Sequence, residues 1–533
     1  MMDYRLLLFM MILAFSPFTV AAGPAPPVVR ELESQFRTVI DSTEASVVAI
    51  VVSHSEEYDK IDPEARLRGR LEGYDPPQRL PPGMLPSAAG QERWKKLDLR
   101  DPNNLVDHLY GSGVVLDAAE GLILTTQHLV AGATKLFVRS YSGAGSYANI
   151  HAADARADLA VLKLIDPVPG LKTVRFADVR TEPGTDGDRP TVYRGMWVIS
   201  MGHPLAAGFG DGKPSASWGI LSNVRRKAAG PPREEQRTQP LHQYGTLLQT
   251  DARITLGCSG GILLNLDGEA IGLTTPLAAV MGSDTAGGFA LPFDRNYRRI
   301  IDVLRQGREV EYGFLGISID TSHPVPGMRG HGLRIGQVTP GTPAAEAGLI
   351  GHENIRFGGD GDVILAIDGQ PIREQDDLFL ALGAALAGNK VRLRVSRDGK
   401  IRNVDVRLAK YFHTLPRIVS QPVTAVYGIR PEYSSVLFLQ LQQAGDHQVL
   451  RVGLPPGVLV GELIPDSPAA TQFMRLGQAT SRWMITRVNE TPVSTPAEFL
   501  TAAKRGPVRL TVIDPTEPER VHTIDLPGSP PTP

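Results

Sequence analysis

The sequence predicts a mainly β chain: a first unit of many short strands closing as barrels or a sandwich, then two copies of a smaller α+β domain. Three observations predict this. Gly and Pro are abundant, 55 and 43 of 533 residues, which suits turn-rich β structure and linkers better than long helices. From Gly111 to about Leu291, short apolar runs alternate with Gly-rich turns, the spacing of barrels and sandwiches. The last third repeats itself: Gly332-Leu-Arg-Ile-Gly-Gln-Val-Thr-Pro-Gly-Thr-Pro-Ala-Ala is echoed by Gly457-Val-Leu-Val-Gly-Glu-Leu-Ile-Pro-Asp-Ser-Pro-Ala-Ala.

The elements follow in order. Arg5 precedes an apolar run, Leu6 to Val20, and small residues follow at Ala21, Ala22 and Gly23. This is a secretory-signal pattern with cleavage near Ala22. As a membrane anchor the run falls short of the ~20 residues a spanning helix needs, and Pro17 breaks it. The expectation is therefore an exported, periplasmic or otherwise extracytoplasmic protein with no stable membrane span after cleavage. A Pro-rich leader comes next, then Glu31–Glu44 as a short helix and Val47–Val52 as a β-branched strand. Residues 53–108 are charged and Pro-rich with few apolar runs, and read as a long surface insertion. The expected strands are Gly113–Leu116, Leu122–Thr125, Lys135–Val138, Leu159–Leu164, Met196–Met201, Ile262–Leu266 and Ala270–Leu273, with a closing helix over Phe293–Gln306. Each repeat continues with a helix (Asp376–Leu386; Pro496–Lys504) and a strand (Val391–Ser396; Val508–Ile513). Two copies, each ~120 residues, are too few and too long for a solenoid, so they are separate domains of one type.

Composition excludes several functions. At ~150 residues per domain the length suggests three or four domains. A net charge of −2 and a hydrophobic share of 42% fit ordinary globular cores, and no basic stripe invites nucleic acid. There is one cysteine, Cys258, hence no intrachain disulfide. No His-Glu-x-x-His, Cys pair or phosphate-cradling loop occurs, so neither metal nor cofactor is expected. Asp360-Gly-Asp362 is too short for a calcium loop and reads as a turn entering a strand.

Three local patterns carry chemistry. Gly111-Ser-Gly-Val-Val-Leu followed by Leu124-Thr-Thr-Gln-His128 puts a histidine just past an apolar strand. Asp154-Ala-Arg-Ala-Asp158-Leu-Ala-Val-Leu puts a carboxylate at the mouth of another. Gln249-Thr-Asp-Ala-Arg-Ile-Thr-Leu-Gly257-Cys258-Ser259-Gly260-Gly261 puts a serine in a glycine-bounded turn. A serine hydroxyl needs a base to become a nucleophile. His128 suits that role near neutral pH, and Asp158 would hold its tautomer. The glycines would let the Gly257 and Ser259 N–H groups converge on an oxyanion. Each pattern alone is weak, since a lone histidine or a pre-strand aspartate is usually structural. Their order and flanks together make a catalytic triad. An α/β-hydrolase would need Gly-x-Ser-x-Gly on a strand-to-helix elbow with the histidine last; here it comes first. Cys258 is either a small half-buried hydrophobe or a redox switch whose oxidation would crowd the oxyanion hole.

With these residues in view, the chain resembles the HtrA/Deg family of trypsin-like serine proteases. Gly111–His128, Asp154–Leu164, Gln249–Leu273 and Gly287–Pro292 match that family's pattern in order, well over about 28–412 and loosely beyond. The resemblance implies a trypsin-like double β-barrel protease domain with the triad between the barrels, then two PDZ-like domains binding C-termini or extended segments, in homo-oligomers built on trimers. The implied layout is a 1–22 signal peptide, a 23–310 protease domain, a 311–412 PDZ domain, a 413–527 divergent PDZ-like domain and a 528–533 tail. Cys258 stands where the family has Asn, Thr126-Gln127 replaces Asn-Asn, and Gly202-His203-Pro204 replaces Gly-Asn-Pro. Tyr312-Gly-Phe314-Leu315-Gly316-Ile317 resembles the PDZ carboxylate-binding loop, with Tyr427-Gly-Ile429 the counterpart in the second copy. The primary substrate pocket would be lined by Ile254, Thr255 and Leu256 with Gly272, Leu273, Thr274 and Thr275; no acidic residue lies among them, so small or medium apolar side chains should fit. The expected function is an exported serine endopeptidase degrading unfolded or damaged proteins, with PDZ modules capturing peptide segments. The alternative is a catalytically silent chaperone or peptide-sensing scaffold on the same fold.

Overall fold

Strand β1 (Val47–Ser53) shows why an unalternating β-branched run forms here. Val48, Ile50 and Val52 turn into one apolar cluster while Val47 and Val51 turn into two others, so both faces are covered. The structure, a computed structural model, describes residues 26–55, 99, 109–181, 189–204, 212–227, 241, 244–275, 287–320, 332–354, 361–383, 385–412, 417–443, 456–476, 483–504, 506–515 and 517–526. The expected signal, nearly all of the 53–108 insertion and the tail lie outside the described residues. Leu99, from within that insertion, is buried beside Val51, Phe137 and Tyr147. Helix α1 (Pro27–Thr43) starts earlier than expected, with Pro27 in its first turn, where the missing N–H costs nothing.

The first barrel comprises β1, β2 (Leu109–Asp117), β3 (Leu122–Thr125), β4 (Lys135–Arg139), β5 (Gly145–Asp154) and β6 (Leu159–Leu164), closed by pairing of β5 with β6. The second comprises β7 (Trp197–Gly202), β8 (Ser215–Arg226), β9 (Leu247–Thr250), β10 (Ile262–Leu264), β11 (Ala270–Thr275) and β12 (Gly288–Pro292), ordered β10-β11-β12-β9-β8-β7. One apolar core joins the barrels, with Val114, Leu124 and Val161 meeting Ile199, Met201 and Ile262. β5 and β8 escaped sequence detection because they are long, half-exposed and rich in small or polar residues. α2 (Gln127–Val130) is a single turn, and α3 (Arg295–Arg305) buries Tyr297, Ile300, Ile301 and Leu304. Asp294 caps α3, its carboxylate accepting the Asn296 and Tyr297 N–H groups.

The two repeats fold alike. The first sheet runs β13 (Ile317–Ile319), β14 (Leu333–Val338), β15 (Val363–Ile367), β16 (Lys390–Arg397), β17 (Lys400–Arg407); the second runs β18 (Ile429–Tyr433), β19 (Val458–Leu463), β20 (Met484–Val488), β21 (Val508–Asp514), β22 (Glu517–Leu526). The helices are α4 (Pro343–Glu346) and α5 (Gln375–Gly383) in the first, and α6 (Ser434–Gln443), α7 (Pro468–Arg475) and α8 (Pro496–Ala502) in the second. β13 and β18 are edge strands. Both copies hold the turn before that edge in the same way. The Ala344 N–H donates to the Leu315 carbonyl and the Ala469 N–H to the Tyr427 carbonyl, at 2.9 and 3.2 Å. Gly316 lies against Thr342, and Gly428 against Ser467. The Asp362 carboxylate accepts from Arg397, Arg402 and the Ile350 N–H, so its oxygens anchor a turn.

The first repeat docks on the barrels. Arg225 pairs with Asp377 at 3.0 Å, Lys227 pairs with Asp376, and Tyr244 stacks on Phe379 at 4.8 Å. Lys410, only 2% exposed, meets Glu309, Glu311 and Glu432 at 3.1, 3.2 and 2.8 Å. These four residues come from the end of the barrels, both ends of the first repeat and the second repeat. Ile418–Val419 returns to pair with β5.

Candidate active site

The β3–β6 ladder pairs Thr125 with Ala160, which brings the residues just after β3 and just before β6 to one barrel end. His128 follows on α2, and Asp158 precedes Leu159. His128 Nδ1 lies 2.8 and 3.0 Å from the two Asp158 oxygens, and its backbone N–H donates to Asp158 Oδ1 at 2.9 Å. A carboxylate only accepts, so Nδ1 carries the proton and Nε2 presents its lone pair. That Nε2 is 3.2 Å from Ser259 Oγ. The three side chains predicted to act together therefore meet, across the seam between barrels.

Ser112 holds that seam, and sequence reasoning passed over it. Its N–H donates to the Ser259 carbonyl at 2.7 Å, and its hydroxyl donates to the Gly257 carbonyl at 2.8 Å. Its Oγ also accepts the His203 N–H, and its carbonyl accepts the Thr125 hydroxyl, each at 2.8 Å. Gly111 and Gly113 on either side were the available signal. A Cβ on Gly113 would come 2.9 Å from Ile50, so small residues are required where β2 crosses. Gly260 lies at φ +80°, and a Cβ there would collide with the Ser112 carbonyl and the Thr125 hydroxyl.

The turn before Ser259 is shaped to leave donors free. The Cys258 N–H bonds the Thr255 carbonyl at 3.0 Å with Gly257 at φ +91°, the signature of a type II turn. The Thr274 hydroxyl donates to the Cys258 carbonyl at 2.5 Å and fixes the turn's far side. Among the described residues, the Gly257 and Ser259 N–H groups have no protein acceptor. Cys258 is buried, and burial pushes its thiol upward despite hydrogen bonds from Thr255. This favours the packing reading over the redox one, because the reactive thiolate is scarce at neutral pH.

The expected pocket residues divide. Leu256 is exposed on the turn, Ile254 packs against Gly288, and Thr255 borders a cavity of about 290 Å³ with Ser200, Gly202, Ser217, Arg253 and Cys258. Gly272, Thr274 and Thr275 are buried along β11. Leu273 is a correction: β alternation turns it into the barrel core, between its ladder neighbours Ile262 and Leu291. Of the loop expected to take a carboxylate, Leu315 is core, Gly316 is left-handed at φ +86°, and Phe314 and Ile317 are half-buried. No metal-binding cluster occurs among the described residues, and no helix among them is long and apolar enough to cross a membrane.

Comparison with known proteins agrees with this geometry. Residues 111–273 match the trypsin-like peptidase domain model and residues 313–408 the PDZ domain model. A probable periplasmic serine endoprotease DegP-like of Pseudomonas putida (strain GB-1) is 30% identical over 405 residues, covering 74% of each chain. This chain belongs to the DegP-like, HtrA/Deg family of serine endoproteases. The periplasmic serine endoprotease DegP of Salmonella typhimurium is 29% identical over 395 residues, 73% of this chain and 70% of that one. Among solved structures, the HtrA-type protease AlgW with a tripeptide has 22% identity and a TM-score of 0.47, covering 71% of this chain and 98% of that one. In this DegP-like chain the second repeat lies beyond the PDZ match, yet it has the strand order of the first.

Proposed function

We propose that this chain is an exported serine endopeptidase that cleaves unfolded polypeptides through an acyl-enzyme on Ser259. The observation that carries the reading is the continuous link Asp158–His128–Ser259, with Nε2 facing Oγ. His128 takes the Ser259 proton as Oγ attacks the scissile carbonyl, then returns it to the leaving amine. Asp158 stabilises the imidazolium. The Gly257 and Ser259 N–H groups receive the oxyanion, a role supported by their lack of other acceptors. Water, activated by the same histidine, then releases the acyl group. Casein digestion by wild type beside Ser259→Ala tests this; equal digestion would point to a silent scaffold instead.

The pH dependence follows from His128. Burial works against its charged form, but the hydrogen bond and charge of Asp158 outweigh that and raise it above the ordinary 6.5. The base must be neutral to accept the Ser259 proton, and a raised value keeps it protonated to higher pH. For a short peptide, kcat/KM should therefore rise with pH through a midpoint above 6.5, the ordinary histidine value. A midpoint at or below it would contradict the Asp158 contact.

Ile254, Thr255 and β11 carry no charge and Arg253, which lines the cavity, is cationic, so small or medium apolar residues rather than basic ones should precede the cleaved bond. Peptide-library cleavage after Arg or Lys would refute this. β13, entered through Phe314–Ile317 and an edge strand among the described residues, offers its outer backbone groups to an extended peptide or C-terminus. Self-association into a homo-oligomer is supported by an exposed aromatic patch. Phe36 stacks on Trp218 at 5.4 Å beside Trp197, with Trp218 58% exposed.

A further inference from the structure

We propose that Tyr312, at the junction into the first PDZ domain, is a positioning residue for the peptidase reaction, acting through Asp154 on the turn that carries Asp158. The inference rests on the triad reading above. It begins with backbone strain. Asp158 lies at φ +56°, a left-handed conformation that residues with a Cβ seldom adopt. Such a conformation persists only where its surroundings hold it.

Asp154 supplies the hold. Its Oδ2 accepts the N–H of Ala157, the residue just before Asp158, at 2.7 Å. The same oxygen accepts the Tyr312 hydroxyl, and both side chains are buried. Arg156, inside the turn, lies over the Tyr312 ring at 4.4 Å and the Tyr411 ring at 5.4 Å. The turn is thus gripped by residues near both ends of one PDZ domain. Tyr312 is itself fixed by that domain. Its carbonyl accepts the Tyr411 N–H at 2.8 Å, and the next residue, Gly313, donates to Ala385 at 2.7 Å. Two residues further on lies Phe314, where the loop expected to take a peptide carboxylate begins.

The groups facing Asp154 set the sign of the effect. Burial raises its carboxyl to about 6; the Tyr312 hydroxyl, the Ala157 N–H and the Arg156 charge oppose this, and Glu309 adds to it. The buried Tyr297 phenol, itself raised, also senses Asp154. Losing the Tyr312 hydroxyl removes one stabiliser of the ionised form. Asp154 then protonates at higher pH and accepts the Ala157 N–H less strongly, so Asp158 loosens against His128.

The test uses the full chain and a chromogenic peptide too short to reach the PDZ domain, with Ser259→Ala alongside. Tyr312→Phe keeps the ring over Arg156 and removes only the hydroxyl. We expect kcat to fall about tenfold at pH 6 and to recover to within about twofold of wild type at pH 8, with KM unchanged. Asp154→Asn, which cannot ionise, should lose kcat without recovery at high pH, and the double variant should lose no more than the worse single. A Tyr312→Phe kcat within twofold of wild type at both pH values, or a loss equal at both, overturns the proposal. Should Tyr312→Phe fail to fold, Asp154→Asn carries the test, and a kcat within twofold of wild type overturns it. Ser259→Ala activity equal to wild type would sink the triad reading instead.

Discussion

Ser259→Ala lowers casein turnover by about 10⁴–10⁶-fold, the scale for removing a member of such a unit. The reason is local. Ser259 Oγ is the one atom that both faces His128 Nε2 and sits beside the free Gly257 and Ser259 N–H groups. Alanine keeps the turn, because the bonds that hold it are backbone groups and the hydroxyls of Ser112 and Thr274. The variant should therefore fold normally and still bind peptide. His128→Ala should lose as much, and the double variant no more, because proton transfer and attack are one event. A residual rate above the uncatalysed reaction is expected from binding and the oxyanion donors alone. A short-peptide assay with active-site titration separates that residue from contaminating protease. Wild-type digestion matched by Ser259→Ala would leave the scaffold alternative standing.

Asp158→Asn lowers kcat by about 10⁴-fold. Asparagine tolerates the left-handed backbone at φ +56° and matches aspartate in shape, so folding should survive. The chemistry should not. Asp158 accepts two donors from His128, the backbone N–H and Nδ1. A side-chain amide offers one acceptor and one donor group. With its oxygen on the backbone N–H, its NH₂ faces Nδ1 and forces the proton to Nε2, the atom that must accept from Ser259. Loss of the negative charge also removes what raises His128, so the acid limb of kcat/KM should move to lower pH while the plateau collapses. A loss under tenfold would mean that the orientation of His128 depends on other contacts.

The pattern of what was legible is instructive residue by residue. His128, Asp158 and Ser259 stood out because their chemistry demands fixed residue types beside apolar strands and glycines. β1 and β6 stood out because both faces are covered and every position but Ser53 and Lys163 is apolar. β8 did not, because the apolar Trp218 is exposed among small and polar residues and no alternation survives over Ser215–Arg226. Leu273 was misplaced because a single strand residue's facing depends on register, and register is set by partners elsewhere. Ser112 was invisible as a site residue, and Thr274 was expected to line the pocket rather than to hold the serine turn. Their hydroxyls act on backbone carbonyls 145 and 16 residues away, a relation with no local pattern. Asp154 carries no local sign of a partner; its contact with Tyr312 spans 158 positions.

By itself the sequence determined the residue inventory, the order of the modules and the chemistry that His128, Asp158 and Ser259 can perform. These depend on composition, local hydrophobic pattern and side-chain type, all readable along the chain. The tertiary structure alone decided which backbone donors stay free beside Ser259, where the cavity lies, and how the PDZ junction reaches the Asp158 turn. Those are contacts between segments far apart in sequence. Their geometry follows from barrel closure and domain docking, which no stretch of residues encodes on its own.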